Sequence, residues 1–530
     1  MKDSSFGYHS APSGNQGSGL AQWSINSLFE SALIPLTTAA ALIFVLVGAG
    51  HSLWLDEVQA VSVASEPFHR VVEQLRHDVN PPAYYLMLGW WTRLFGDSEA
   101  ACRSLSGLLY FLTGGTVFLA ASYWFSDKRV GFYSSFLFLV STQALQNAQI
   151  VRSYALLGLV AAASIYFFLR LIGSFSPTPY DCVGLVVANM LGSFTHFWFF
   201  FVYAAELITT IIFVSRRLRT FLTLAFVSSL PFAALWFPIF LEQLRNGATA
   251  SLNSFMPPFD WIFVPDTMLV FYGGLVRGLL FYTVLILLLL CGHPIWSVAR
   301  HDRRLWVLTT LFATILLLPM VVCVFKPIYW RGRYTIIGLP ALSILLGSLV
   351  ARFANRTLLL ITSYAWVLWT ATVFVQSTFT SPVEGPPVIS SDRDTADYLV
   401  KHAQKGDVLV FTSLSRLAVD YYLKRNCGNC FREVSFPAEI DQHRVWRDVP
   451  AMLKRQPSLE AEAERNVREW SLLANQTGAS IWLLYGRDRD ISDILKMRLD
   501  TQFSLKGEIR AEAPFHLVLL KYNKRSDPRI

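Results

Sequence analysis

Long apolar runs, each nearly free of charge, alternate with short polar segments over most of this chain. A helix needs about 20 predominantly apolar residues to cross a hydrocarbon core of ~30 Å. Runs of that kind lie near residues 32–50, 104–126, 130–151, 153–169, 220–241, 278–299, 305–325, 334–351 and 357–377. A longer stretch, 182–215, is interrupted only by His196 and Glu206. As one helix it would be roughly 50 Å long, so it is divided near His196 into two. The pattern predicts an α-helical polytopic membrane protein with about 11 spans over residues 31–383.

From about residue 384 the period changes. The helix-like DTADYLVKHAQ runs into the apolar GDVLVFTS, and the amphipathic LEAEAERNVREWSLLANQ into SIWLLYG; LKGEIRA and FHLVLLKYN follow. Alternating helix and strand patterns predict a small α/β domain over 384–530. The first residues, 1–30, are polar and rich in Gly and Ser. They read as a disordered tail. No apolar stretch follows a basic start closely enough for a signal peptide, so the first apolar run is expected to remain as a span.

Composition agrees. Of 530 residues, 53% are hydrophobic and 15% charged, against about 25% charged in soluble domains. The net charge of +8 does not point to nucleic acid, because the basic residues sit in short clusters between apolar runs, as the positive-inside rule predicts. With the N-terminus inside, the inner loops are DKR at 127–129, the link after Arg170, RRLR at 216–219, ARHDRR at 299–304 and ARFANR at 351–356. The C-terminal domain is then outside, as is the large loop 51–103. An outer loop, KPIYWRGR at 326–333, is strongly basic and breaks the rule.

Candidate chemistry gathers on that outer side. Asp56 and Glu57 follow the first span directly, in LWLDEVQA. The same loop carries HDVNPPAYYLMLGWWTRLFG at 77–96, whose paired prolines stiffen the backbone and bias Asn80 to an extended form. The aromatic run from Tyr84 to Phe95 is too short to span and suits a helix lying at the interface.

The order of these motifs resembles GT-C-type membrane glycosyltransferases, in particular the protein O-mannosyltransferase and lipid A aminoarabinose transferase group. The resemblance rests on the acidic pair after the first span, D-x-x-P-P-x-Y-Y from Asp78, R-x-L-S-G-L from Arg103, R-S-Y-A-L-L from Arg152 and R-Y-x-x-x-x-L-P from Arg333, and it covers roughly residues 30–380. The WWD-type motif of oligosaccharyltransferases is lacking, since Trp90 and Trp91 are followed by Thr92 in a different region; that argues against N-linked glycan transfer. The resemblance implies a sugar donor on polyprenyl phosphate and inversion at the anomeric carbon. The acceptor would be an envelope glycan, lipid or protein at the outer face of an inner (plasma) membrane, with membrane lipids around the protein. No cofactor is required, with a divalent metal left as an option.

An acceptor hydroxyl needs a carboxylate to take its proton as it attacks. Asp56 matches the acidic position and is the expected general base, with Glu57 orienting it or the acceptor. The structural alternative is a solvated pair beside the membrane. His77 and Asp78 are placed for the donor sugar, or for a metal shared with Asp56; otherwise they belong to a polar loop. The leaving phosphate needs fixed cations. Arg333 with Tyr334, Lys326, Arg331, and Arg152 with Tyr154 are the candidates, against snorkelling to lipid headgroups. Tyr84, Arg103 and His196 complete the expected substrate-binding set. Glu206 falls in mid-membrane and is read as a structural hydrogen-bonding residue. Cys427 and Cys430 are spaced for a local disulfide, with zinc a minority reading because only His443 is near. The competing class is a transporter or lipid flippase, which would concentrate its polar groups near the bilayer midplane.

Overall fold

The computed structural model describes residues 25–245, 256–292, 300–329, 331–379, 391–412, 415–441, 452–485, 489–510 and 518–525. The expected N-terminal tail, His443 and the junction expected near residue 384 lie outside them.

Helix α1, Ile25–Ala49, is followed by the outer loop, which is itself helical: α2 Leu55–Ser65, α3 Phe68–Arg76 and α4 Ala83–Phe95. The apolar runs then appear as α5 Glu99–Phe125, α6 Lys128–Leu139, α7 Thr142–Ala148, α8 Tyr154–Gly173, α9 Pro179–Thr195, α10 Phe200–Phe213, α11 Leu218–Leu235 and α12 Phe237–Arg245. After these come α13 Phe263–Phe271, α14 Gly274–Leu290, α15 Arg303–Phe325, α16 Leu339–Phe353 and α17 Arg356–Phe379. Their starts are capped as their sequences direct. Ser98, Asp127 and Asp302 accept backbone N–H groups of the first turn, and Thr178 and Asp181 bond reciprocally ahead of α9.

Among the described residues six helical segments are long and apolar enough to cross a membrane, or seven if a pair bent by 76° at Tyr272–Gly273 counts as one. Of the other expected spans, 357–377 lies within the continuous 24-residue α17, and the rest are helical but short or broken. The run 130–151 is divided: α6 stops at Leu139 after 12 residues, about 18 Å of rise. Ser141 turns the chain, donating to the Phe271 carbonyl at 2.6 Å and capping α7. The division at His196 is as expected, with α9 ending at Thr195 and a short 3-10 turn leading into α10.

The predicted inner loops do share one end of the bundle. Glu30 at the start of α1 bonds Arg129 at 3.1 Å and Arg356 at 2.5 Å, and Arg352 bonds Asp302 at 2.6 Å. Within the bundle, Glu206 accepts from Ser164, which also contacts Asn189. This ties α8, α9 and α10 together, the hydrogen-bonding role expected of that residue.

The C-terminal domain is α/β. Its helices are α18 Asp392–His402, α19 Ser415–Cys427, α20 Gln456–Thr477 and α21 Arg489–Gln502. Its strands are β1 Val408–Phe411, β2 Arg432–Ser435, β3 Ile481–Tyr485, β4 Phe503–Arg510 and β5 Val518–Lys524. The sheet order is β2-β1-β3-β5-β4. The first three strands are parallel, with Val408 opposite Arg432 and Ile481; β5 runs antiparallel to β3 and β4. Fully buried β1 and β3 read as continuous apolar runs because helices cover such strands on both faces. Cys427 and Cys430 are disulfide-bonded, so neither thiol is available to zinc.

This domain sits on the outer loop. The Tyr422 hydroxyl accepts the Leu53 N–H at 2.7 Å, Arg393 donates to the Gly50 carbonyl at 3.2 Å, and the Arg393 N–H reaches Ser52 Oγ.

Candidate active site

The segment from Gly50 to Trp54 leads from α1 into α2 and sets the depth of the acidic pair. Glu57, three residues into α2, reaches back to accept the Trp54 N–H at 3.2 Å, the backward half of a capping box. Its carboxylate also accepts from Arg103 Nη2 at 2.7 Å, Arg103 Nε at 3.1 Å and the Val151 N–H at 2.9 Å. Four donors fill the lone-pair sites of a carboxylate, and Glu57 is only 1% exposed.

Arg103 is equally committed. Besides Glu57 it donates to the Ala49, His51 and Ser52 carbonyls. All five N–H groups of a guanidinium are then in use. Expected to bind substrate, Arg103 instead locks the chain leaving α1 to the start of α5. Tyr84, also expected at the substrate, is wholly buried between α2 and α5, with its ring edge-on to Tyr85. Gly89 lets α4 come close enough to α2 for this, since a Cβ there would meet the Ala64 carbonyl.

Asp56 points elsewhere. Its side chain is 18% exposed and lies 3.2 Å from Arg333 Nη1. Arg152 donates to the Asp56 carbonyl at 3.3 Å. Arg333 is also 3.5 Å from the Tyr154 hydroxyl and lies over the Trp54 ring at 5.3 Å. Burial alone would lower the affinity of both guanidiniums for their protons. Tyr154 and Asp56 for Arg333, and Asp56 with neighbouring tyrosines for Arg152, more than reverse this, so both are held firmly charged.

Tyr334 packs against Tyr154, Trp198 and His196, with its ring 4.6 Å from the imidazole. His196 Nδ1 accepts the Trp198 N–H at 3.1 Å, which leaves Nε2 to carry the ring proton. The break in the long apolar run therefore places His196 beside the arginine cluster.

The other expected residues divide. Asp78 is buried, accepting from the Val79 N–H, Asn80 Nδ2 and the Tyr85 hydroxyl; it braces the turn ahead of Pro81 rather than facing substrate. His77 ends α3, exposed, 3.9 Å from Glu73. Lys326 ends α15, half-buried, and its side chain has no hydrogen bond or ion pair among the described residues. Arg331 pairs with Asp266 at 2.8 Å. Gly332, at φ +70°, lies in the left-handed region that a side chain resists, between Arg331 and Arg333.

Among the described residues no group of three or more His, Cys, Asp or Glu side chains could hold a metal ion. His77, Asp78 and Asp56 are engaged with separate partners, so they do not form the expected shared set.

A polar pocket of about 450 Å³ opens beside Arg333, within the range of about 300–1,000 Å³ usual for small-molecule sites. Arg331, Arg333 and Trp54 line one side; Gln146, Asn147 and Gln149 line another. The three amides were not among the expected site residues. They fall in TQALQNAQ, an uncharged segment that a count of charges alone assigns to a span; its five amide and hydroxyl positions were the available signal.

No protein-family model matches the sequence, and no curated protein matches it significantly. Solved structures do match in shape. ArnT from Cupriavidus metallidurans bound to undecaprenyl phosphate aligns at TM-score 0.60 and 15% identity, over 93% of this chain and 98% of that one. The apo state of the same protein aligns at 0.59 and 15%, with the same coverage. The apo oligosaccharyltransferase of Archaeoglobus fulgidus aligns at 0.50 and 11%, over 89% of this chain and 73% of that one. Both are GT-C membrane proteins. The resemblance read from the motifs therefore holds at the level of fold: this chain is a polytopic helical membrane protein of GT-C architecture with a C-terminal α/β domain.

Proposed function

We propose that this protein is a glycosyltransferase that moves a sugar from a polyprenyl-phosphate donor to a hydroxyl of an envelope lipid, glycan or protein, at the outer face of an inner membrane. The observation that carries the reading is the placement of one partly exposed carboxylate, Asp56, against the charged Arg333 guanidinium, with Arg152 held close by on the Asp56 backbone carbonyl. A sugar transfer of this type needs a base on the attacking hydroxyl and cations at the departing phosphate. The fold shared with ArnT, solved with undecaprenyl phosphate bound, supports the choice of donor.

Asp56 takes the proton of the acceptor hydroxyl as its oxygen attacks the anomeric carbon. The bond from that carbon to the phosphate oxygen breaks, and polyprenyl phosphate departs with the electron pair. Arg333, released from Asp56 towards the phosphate, stabilises the charge that develops there, with Arg152 and Lys326 adding to the field. A phosphate leaves without protonation, so no acid is required. A double displacement would require a second free carboxylate as nucleophile. Glu57 and Asp78 are both occupied by hydrogen-bond donors, so a single displacement with inversion is the consistent course. No step runs through a metal, because the donor set does not fit one.

The depth of the site suits this chemistry. The prenyl chain keeps the reactive phosphate at the membrane surface, and Asp56 follows α1 by only seven residues. The inside position of the N-terminus and the outside position of the C-terminal domain belong to the same proposal, on the strength of the basic loops gathered at the Glu30 end. The experiment is incubation of the purified protein with a panel of polyprenyl-phosphate sugars and candidate acceptors, measuring released polyprenyl phosphate. Release that depends on acceptor supports the reading; no release with any donor, at protein concentrations that bind the lipid, refutes it.

A further inference from the structure

The polar pocket beside Arg333 differs from the rest of the site in what it leaves unsatisfied. Each arginine on its wall already has an opposite charge: Arg333 has Asp56, Arg331 has Asp266 and Arg103 has Glu57. Glu57 is the pocket's only carboxylate among the described residues, and its oxygens hold four N–H donors. The remaining ionisable group, His51, is exposed at the rim and could add only positive charge.

What is left is amide. Asn147 is 2% exposed, yet its buried Nδ2 has no hydrogen-bond partner. A buried donor without a partner is costly, and Asn147 is one of the residues that line a cavity large enough for a ligand. Gln149 donates to the Phe44 carbonyl at 2.7 Å, which holds its amide in the same wall. Gln146 is exposed beside it.

We infer that this pocket receives the donor's sugar, that it selects an uncharged sugar over an amino sugar, and that Asn147 is the specificity-determining residue that reads a sugar hydroxyl. The inference rests on the proposed function and narrows its substrate class. A neutral hydroxyl can both donate to and accept from an amide. A protonated amine entering the same wall would lose water next to arginines that repel it; the lining carboxylate, Glu57, is already filled with donors, and Asp56, behind Arg333, is committed to the acceptor hydroxyl.

The test uses the full-length protein in lipid nanodiscs and three kinds of ligand. These are undecaprenyl phosphate bearing a neutral sugar (mannose, glucose, galactose or arabinose), the same sugars with one hydroxyl replaced by an amine, and bare undecaprenyl phosphate. Binding is measured at neutral pH. The expected result is that at least one neutral form binds about tenfold or more tighter than its amine analogue. In Asn147→Asp, which keeps the side-chain shape and adds a carboxylate, that preference should narrow by about tenfold or reverse. In Asn147→Ala the advantage of the sugar forms over the bare lipid should shrink. An unfolding temperature in both variants equal to that of wild type shows that they are folded.

Amine analogues that bind wild type as tightly as the neutral forms, or tighter, overturn the inference and leave the proposed function standing. So does a preference that Asn147→Asp does not move, or equal binding of bare and sugar-bearing lipid. If no undecaprenyl phosphate binds, bare form included, the proposed function itself has failed.

Discussion

Adjacent in sequence, Asp56 and Glu57 are opposite in kind. Helical geometry turns neighbouring side chains about 100° apart, so one enters the Arg103 lock while the other faces Arg333. As general base, Asp56 is expected to supply about 10²–10⁴-fold in rate. Asp56→Asn should lower single-turnover sugar transfer by that factor, with donor affinity equal to or tighter than wild type, because Arg333 loses its competing partner. Near-normal transfer would remove Asp56 from the mechanism. Arg103 and Glu57 should show the reverse pattern. Removing one member of a buried ion pair leaves the other unpaired, at a cost of about 3–5 kcal/mol. Arg103→Ala is therefore expected to lower the thermal unfolding temperature and the yield of folded protein, and Arg103→Met with Glu57→Leu to recover part of the loss. A fully stable Arg103→Ala with selectively lost donor binding would return Arg103 to the substrate. Sequence alone could not separate the pair, since both carboxylates follow the first span and only the chain's path past Arg103 decides which is buried.

Among the elements, the short irregular ones carry the site. The segment 331–333 presents two arginines on either side of Gly332, whose positive φ costs a residue with a Cβ about 1–3 kcal/mol. Gly332→Ala should leave the bundle folded, since the segment lies outside its helices, while turning Arg333 away from Asp56. Transfer should fall, and donor affinity with it; unaltered activity with the same melting temperature would show that the arginines place themselves without the turn. The basic loop 326–333 was visible in the sequence as an exception to the charge bias, and two of its cations, Arg331 and Arg333, do line the pocket, while Lys326 ends α15. The α6–α7 break was not visible. Residues 130–151 contain no charge, and the turn depends on Ser141 meeting the Phe271 carbonyl, 130 residues away. That break brings Asn147 to the pocket wall.

At the scale of the whole molecule, the C-terminal domain is fastened to the outer loop next to the site, through Tyr422 and Arg393. Asp392, at the first turn of α18, is buried, and burial pushes its carboxyl up to about 7. An acid whose folded pKa lies above its unfolded value of about 4 binds more protons folded than unfolded. Its contribution to stability is therefore present below about pH 4, declines as pH rises towards 7, and changes little beyond. The C-terminal domain should be cut by protease faster at pH 8 than at pH 5 relative to a neutral reference protein. Asp392→Asn should flatten that difference and stabilise the domain at pH 8; an unchanged pH profile would place the dependence on other groups. The order of the apolar helical segments, the α/β character of the tail and the motif residues near the first span were legible from residue types, because hydrophobic periodicity and charge are local properties of a chain in lipid and water. The strand β2 was not, its Arg432–Ser435 lacking the apolar run of its neighbours. Nor were the two fates of the acidic pair, the commitment of Arg103, or the amide wall of the pocket. Those depend on which donors meet which acceptors across tens to hundreds of residues, and only the folded chain sets those distances.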